Sequence, residues 1–221
     1  MTQFKAALFD LDGTLVDTEA QYSVFWKKMG EIYHPEIPDF DQIIKGTTLD
    51  NIYQNYFPDP LIQNKISPVL QDWEIKMNYP FINGAESFIR ELKNNDVLCA
   101  VVTSSNNNKI NALRKKICYF DDMFDLILTS EMFHESKPAP DCYLLAAKLL
   151  NCKIEECVVF EDAINGLNAG MNANMFTVGL STTNSAEVIK KICNHVVEDF
   201  TSLNYNLLNE LLYQHFLLNY S

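Results

Sequence analysis

The chain has 221 residues, 48% of them hydrophobic, with 29 acidic against 17 basic side chains and a formal net charge of -12. That composition speaks against disorder and supplies core enough for one domain of roughly 100–200 residues, or a core plus an insert. With arginine only at Arg90 and Arg114, the charge also weighs against nucleic-acid binding, since affinity for a phosphate backbone comes mainly from clustered Lys and Arg.

The apolar run 6–9, after Met1-Thr2-Gln3-Phe4-Lys5, is too short for a signal peptide or a membrane span, so a cytoplasmic protein without membrane association is expected. Its near-continuous hydrophobicity reads as a strand buried on both faces of a parallel sheet. Asp10 and Asp12 follow directly, at the carboxyl end where ligands bind in open α/β sheets. Period-two geometry puts both side chains on one side if the strand conformation continues, and Gly13 permits a tight turn away. Two Asp beside a Gly are equally an ordinary strand-ending turn.

From 18 to 80 no buried strand is legible, whereas 22–29, 49–56 and 66–77 have helical spacing. This reads as an inserted helical unit, hinged at 16–18 and at 79–84, where Pro and Gly punctuate the return. Beyond it, strands at 98–102, 126–128, 157–160 and 175–178 alternate with helical stretches at 85–93, 109–117 and 141–150. The expectation is an α/β fold: a doubly wound, Rossmann-like parallel sheet built from 1–17 and 81–221, with 18–80 as a helical cap.

Three later segments carry polar residues at strand ends. Thr103-Ser104-Ser105-Asn106 follows the second strand; a hydroxyl and exposed amides there hold phosphoryl oxygens, although Ser or Asn after a strand is also a plain helix N-cap. Lys137 stands before Pro138-Ala139-Pro140, where prolines restrict the backbone and keep the lysine in place. Glu161 and Asp162 follow the strand 157–160, and their simplest reading is charge at a helix N-terminus. The six cysteines lack a Cys-x-x-Cys pair and read as small reduced core residues. The stretch 206–220, with Leu207, Leu208, Leu211, Leu212, Phe216 and Leu218 at helical spacing, reads as a helix docked on the core.

Taken whole, Asp10-Leu11-Asp12-Gly13-Thr14-Leu15-Val16, Thr103, Lys137-Pro138 and Glu161-Asp162 resemble, in order, the four signatures of the haloacid dehalogenase superfamily of phosphotransferases. The resemblance spans nearly the whole chain, including an insert where the helical cap of that family's first subtype lies. It implies that Asp10 attacks phosphorus to form an aspartyl-phosphate, and that Asp12 protonates the leaving oxygen and later activates water. It implies a phosphate site at Thr103, with Ser104 and Asn106 of the same loop, and at Lys137. It also implies Mg²⁺ held by Asp10, the Asp12 carbonyl and Asp162, with Glu161 in or beside the shell. Four converging carboxylates would repel one another without such a cation, and hard oxygen ligands suit magnesium. Asp12 disfavours a true dehalogenase, whose leaving halide needs no acid. Two positions depart from the family pattern: Asn174 where Gly is common, and Ala163 where Ser is common.

The expected activity is therefore a Mg²⁺-dependent phosphatase of a small phosphorylated metabolite, acting as a monomer or weak dimer. The nearest alternative is a β-phosphoglucomutase, similar in layout and in Lys137-Pro138-Ala139-Pro140. That enzyme uses a cap arginine and a cap histidine whose positions here are Leu49 and Tyr22, and no Arg occurs between 18 and 80. Lys45 or Lys76 would replace the arginine only as a point charge. Tyr22, Lys45, Gly46 and Thr47 are the candidates for substrate selection. A phosphoryl-accepting signalling module fits the insert and Asp12 poorly.

Overall fold

The computed structural model describes residues 4–220, apart from the side chains of 216 and 218–220. Six parallel strands, β1 (Ala6–Phe9), β2 (Leu98–Val102), β3 (Leu126–Leu128), β4 (Cys157–Glu161), β5 (Phe176–Leu180) and β6 (His195–Val197), form one sheet in the order β3-β2-β1-β4-β5-β6. Two features move beyond the sequence reading. β5 extends to Leu180, and β6, which the sequence reading missed, is a three-residue edge strand, His195–Val197, of which only Val197 is buried.

The helices are α1 (Glu19–Tyr33), α2 (Phe40–Ile43), α3 (Leu49–Tyr56), α4 (Pro60–Lys76), α5 (Ala85–Asn94), α6 (Asn107–Lys116), α7 (Asp141–Leu149), α8 (Ile164–Asn172), α9 (Ala186–Ile189) and α10 (Tyr205–Tyr220). Because strand side chains alternate between faces, each strand feeds two cores. Phe9, Val101 and Phe160 pack with Phe88 and Leu92 of α5 and with Leu208 and Leu212 of α10. Leu8, Val102 and Val159 pack with Cys142, Tyr143 and Ala146 of α7. The Phe9 and Phe160 rings stack at 4.7 Å, each phenylalanine contributing about 1.5–3 kcal/mol by leaving water. Helices thus cover both faces, as a doubly wound sheet requires.

The docking of α10 rests on Leu208 and Leu212, with Leu207 and Leu211 partly buried beside them; the Phe216 and Leu218 side chains lie outside the described residues. Asn174 adopts φ +57, the left-handed conformation expected of it at the end of α8. Of the cysteines, Cys99, Cys142 and Cys157 are buried, but Cys118 is exposed, which corrects its assignment as a core residue: it lies just past the end of α6. No helix among the described residues is long and apolar enough to cross a membrane.

Helices α1 to α4 gather round a third apolar cluster, including Phe25, Trp26, Phe40, Phe57, Ile66 and Leu70. α4 starts six residues before the apolar spacing suggests, because Asp59 accepts a hydrogen bond from the Leu61 amide at 2.9 Å and Pro60 occupies the first turn. The two connections to the sheet run side by side: the Asp17 amide donates to the Pro80 carbonyl at 2.8 Å and the Ile82 amide to the Leu15 carbonyl at 2.9 Å.

Candidate active site

The chain leaves β1 toward β2 and β3, then returns to β4 on the other side of β1. The crevice at the carboxyl ends of β1 and β4 is therefore the switch point of the sheet. Asp10 follows β1; Glu161 ends β4 and Asp162 follows it. Lys137 reaches them from the segment before α7, its side chain 1% exposed. Its ammonium donates to Asp10 Oδ1 and Glu161 Oε1, both at 2.6 Å, and to the Val102 carbonyl at 3.0 Å.

Glu161 uses both oxygens: Oε1 also accepts from the Tyr143 hydroxyl at 2.8 Å, and Oε2 accepts from the Asp162 and Ala163 amides at 3.1 and 3.3 Å. Asp162 Oδ1 accepts from the Thr14 hydroxyl at 2.7 Å, whereas its buried Oδ2 has no hydrogen-bond partner among the described residues. One carboxylate oxygen each from Asp10, Glu161 and Asp162 lies within 4.8 Å of the other two. Burial and the facing Glu161 push the Asp10 carboxyl up to about 8, against the pull of Lys137. Burial, then Glu161 and Asp10, push Asp162 well up too. Burial disfavours the Lys137 ammonium, but Asp10 and Glu161 outweigh it and its pKa is raised. One lysine, paired with Asp10 and Glu161, thus stands beside a group of three carboxylates.

Glycines make this closeness possible. Gly13 sits at φ +76, and a Cβ there would lie 2.2 Å from Asp162 Oδ2; at Gly166 in α8 it would lie 1.8 Å from Glu161 Oε1. Any side chain at either position displaces a carboxylate.

The Asp12 side chain is not part of the three-carboxylate group. It turns toward the helical insert, where Oδ1 accepts from the Thr18 hydroxyl and pairs with the Lys109 ammonium, and Oδ2 accepts from the Ser105 hydroxyl at 3.0 Å. Lys109, 2% exposed, projects from α6 and lies 4.1 Å from the centroid of the Tyr22 ring of α1. The Tyr22 hydroxyl donates to Glu74 of α4 at 2.9 Å. Burial raises the Glu74 carboxyl above its usual range, although Lys109 opposes this.

Sheet and insert together enclose a cavity of about 110 Å³. Asp10, Asp12, Glu161, Thr103, Ser104 and Asn106 line it from the sheet side; Tyr22, Lys45, Gly46, Thr47 and Leu49 line it from the insert. Lys137 and Asp162 stand behind that lining. Thr103 is buried with its hydroxyl accepting from the Ser105 amide at 3.0 Å, and Asn106 accepts from the Lys109 amide at 3.1 Å, so it does cap α6. The loop carrying Lys45 and Gly46 touches the core: the Gly46 carbonyl accepts from the Ser104 hydroxyl at 3.3 Å and the Lys45 carbonyl from the Asn165 amide group at 3.4 Å. Ala163 begins α8 with no side-chain cap, as its missing hydroxyl dictates.

Lys109, Ser105, Thr14, Tyr143 and Glu74 join the site without having stood out in the sequence. Thr14 and Ser105 had a local signal, as parts of the 10–16 segment and of the loop after β2; Lys109 and Glu74 come together where α4 packs on α6.

A family model described as haloacid dehalogenase-like hydrolase matches residues 7–180. Among curated relatives, "Protein SUPPRESSOR OF QUENCHING 1, chloroplastic" of Arabidopsis thaliana is 30% identical over 207 residues, which are 88% of this chain but 19% of that protein. Validoxylamine A 7'-phosphate phosphatase of Streptomyces hygroscopicus subsp. limoneus is 26% identical over 213 residues, 91% of this chain and 97% of that one. The crystal structure of β-phosphoglucomutase from Clostridium difficile superposes with a TM-score of 0.81 at 26% identity, covering 97% of this chain and all of the other.

Proposed function

Because the chain belongs to the haloacid dehalogenase-like hydrolases and so handles phosphoric monoesters, we infer that it is a magnesium-dependent phosphatase of a small phosphorylated metabolite. The observation that carries this reading is that Asp10 and Asp12 border one cavity with different partners. Among the described residues the Asp10 carboxylate is held by Lys137, and that of Asp12 by Thr18, Ser105 and Lys109. Two carboxylates with different surroundings suit two roles.

In the first half-reaction an Asp10 oxygen attacks phosphorus while the ester P–O bond breaks, and Asp12 gives the leaving oxygen its proton. In the second, Asp12 takes a proton from water as its oxygen attacks phosphorus and the bond to Asp10 breaks, releasing phosphate. Lys137 neutralises Asp10 and holds its carboxylate toward the cavity, and Thr103 with the amides after it receives the phosphoryl oxygens. Residues 18–80 act as the cap that excludes water and selects the leaving group.

The donor set fits a hard divalent cation: Asp162 Oδ2, near the Thr183 hydroxyl, is buried with no hydrogen bond of good geometry among the described residues, beside Asp10 in an all-oxygen group. Asp10, Asp162 and the Asp12 carbonyl would hold Mg²⁺, which supplies positive charge against the transferring phosphoryl group. Glu161, with donors on both oxygens, holds Lys137 and the 161–163 turn behind those ligands. The free cysteines accord with a cytoplasmic enzyme, where thiols stay reduced.

The mutase reading needs a cation for a second phosphate, and both cavity lysines facing the insert are engaged: Lys45 with Glu19 at 3.4 Å, Lys109 with Asp12. The deciding experiment is phosphate release from a panel of phosphorylated metabolites with Mg²⁺, with and without a sugar bisphosphate. Steady release without the bisphosphate is expected. Isomerisation that depends on the bisphosphate would establish the mutase, and a stable phospho-Asp10 without turnover would establish a signalling module.

A further inference from the structure

The insert end of the cavity holds more negative charge than its own lysines balance. Asp12, Glu19, Asp41 and Glu74 face Lys45 and Lys109 there. With Lys45 on Glu19 and Lys109 on Asp12, Asp41 makes no ion pair among the described residues, and Glu74 shares the field of a Lys109 already paired with Asp12. Glu74 at least receives the Tyr22 hydroxyl. Asp41 is 7% exposed, yet its one side-chain hydrogen bond among the described residues comes from the neighbouring Gln42 amide. A buried carboxylate without a counter-charge is costly, and the cost is relieved when a cation arrives. Asp41 lines the cavity, so a cation bound there can reach it. A second phosphate would meet two surplus carboxylates and no uncommitted ammonium, whereas an ammonium would meet its complement. Trp26, Leu49 and Leu70, also on this wall, give a carbon skeleton an apolar surface to lie on.

We propose that Asp41, with Glu74, binds an amino group of the substrate, so that the preferred substrate is the phosphate monoester of an amino alcohol, such as an amino sugar phosphate, without a second phosphate. This rests on the phosphatase reading and narrows it.

The test compares kcat/KM, with Mg²⁺, in two matched pairs, glucosamine 6-phosphate against glucose 6-phosphate and galactosamine 1-phosphate against galactose 1-phosphate. Glucose 1,6-bisphosphate and the generic ester p-nitrophenyl phosphate complete the set. The amino ester of at least one pair should exceed its hydroxyl partner by about tenfold or more, the scale of one charge-assisted hydrogen bond. The bisphosphate should be the poorest sugar ester. Asp41→Asn should bring that ratio close to one, and Asp41→Glu should retain a preference. If Asp41→Asn does not fold, the wild-type ratio decides alone. Ratios near or below one in both pairs, or a preferred bisphosphate, overturn the amine assignment while p-nitrophenyl phosphate turnover leaves the phosphatase intact. If every ester including p-nitrophenyl phosphate is inert, the phosphatase reading fails and this proposal with it.

Discussion

At the sheet end of the cavity Lys137 and Glu161 each have three or more partners, whereas among the described residues the Lys45, Glu19 and Glu74 side chains at the insert end have one each. Lys137 donates to three acceptors and Glu161 accepts from four donors, both almost wholly buried. Across the cavity Lys45 has Glu19 at 3.4 Å, with about a fifth of each side chain exposed. The first arrangement is over-determined and preorganised, which suits stabilising charge that is the same for every phosphate ester. The second rests on few contacts and suits selection of a leaving group.

The largest effect should come from breaking the sheet end. Asp10→Asn removes the attacking oxygen while keeping shape and the Lys137 contact, and should lower kcat by ~10⁴-fold or more. Steady-state phosphate release measures it, and retained magnesium-dependent activity would refute the nucleophile. Asp162→Asn takes a negative charge from the three-carboxylate group, and the Mg²⁺ concentration for half-maximal activity should rise by about 10–100-fold. Titrating Mg²⁺ back after chelation reads this directly. An unchanged half-point would place the metal elsewhere.

Lys109 joins the two ends, since it belongs to the core yet lies against Tyr22 and pairs with Asp12. Lys109→Met should cost roughly 10²-fold in kcat through misplacement of Asp12, with less change in KM, and Lys109→Arg should restore part of it. A lower melting temperature with unchanged kcat would leave Lys109 a merely structural role.

The same contrast explains what was legible in the sequence. β1 to β4 and the polar residues at their ends could be read because a strand buried on both faces needs a continuous apolar run, and what interrupts it lies at its end. Lys109 could not. In Asn106-Asn107-Asn108-Lys109-Ile110 it looks like a solvated helix start, and it is buried because α4 packs on α6 while Tyr22 and Asp12 close on its side chain. Glu74 likewise reads as an exposed charge in Asp72-Trp73-Glu74 until α1 brings Tyr22 to it. Asp12 was legible in place but not in direction, since the turn at Gly13 carries its side chain away from the other three carboxylates. The edge strand β6 offers too short a signal, three residues begun by His195, with only Val197 buried.

The smallest effect concerns Lys76, which from the sequence alone competes with Lys45 as a stand-in for the missing arginine. It lies in the last turn of α4, its side chain 72% exposed and paired with Asp72 at 2.6 Å, and it is not among the residues lining the cavity. Such an exposed pair one helical turn apart is worth about 0.3–0.5 kcal/mol and is weakened by salt. Lys76→Met should therefore leave kcat/KM within about twofold for every ester, since it removes no contact at either end of the cavity. Lys45→Met should instead raise KM several-fold, because it removes a lining charge and leaves Glu19 unpaired. A loss of activity in Lys76→Met comparable to that in Lys45→Met would mean that the end of α4 reaches the substrate. The charge balance at the insert end would then contain a third ammonium, and the case against a second phosphate would weaken in proportion.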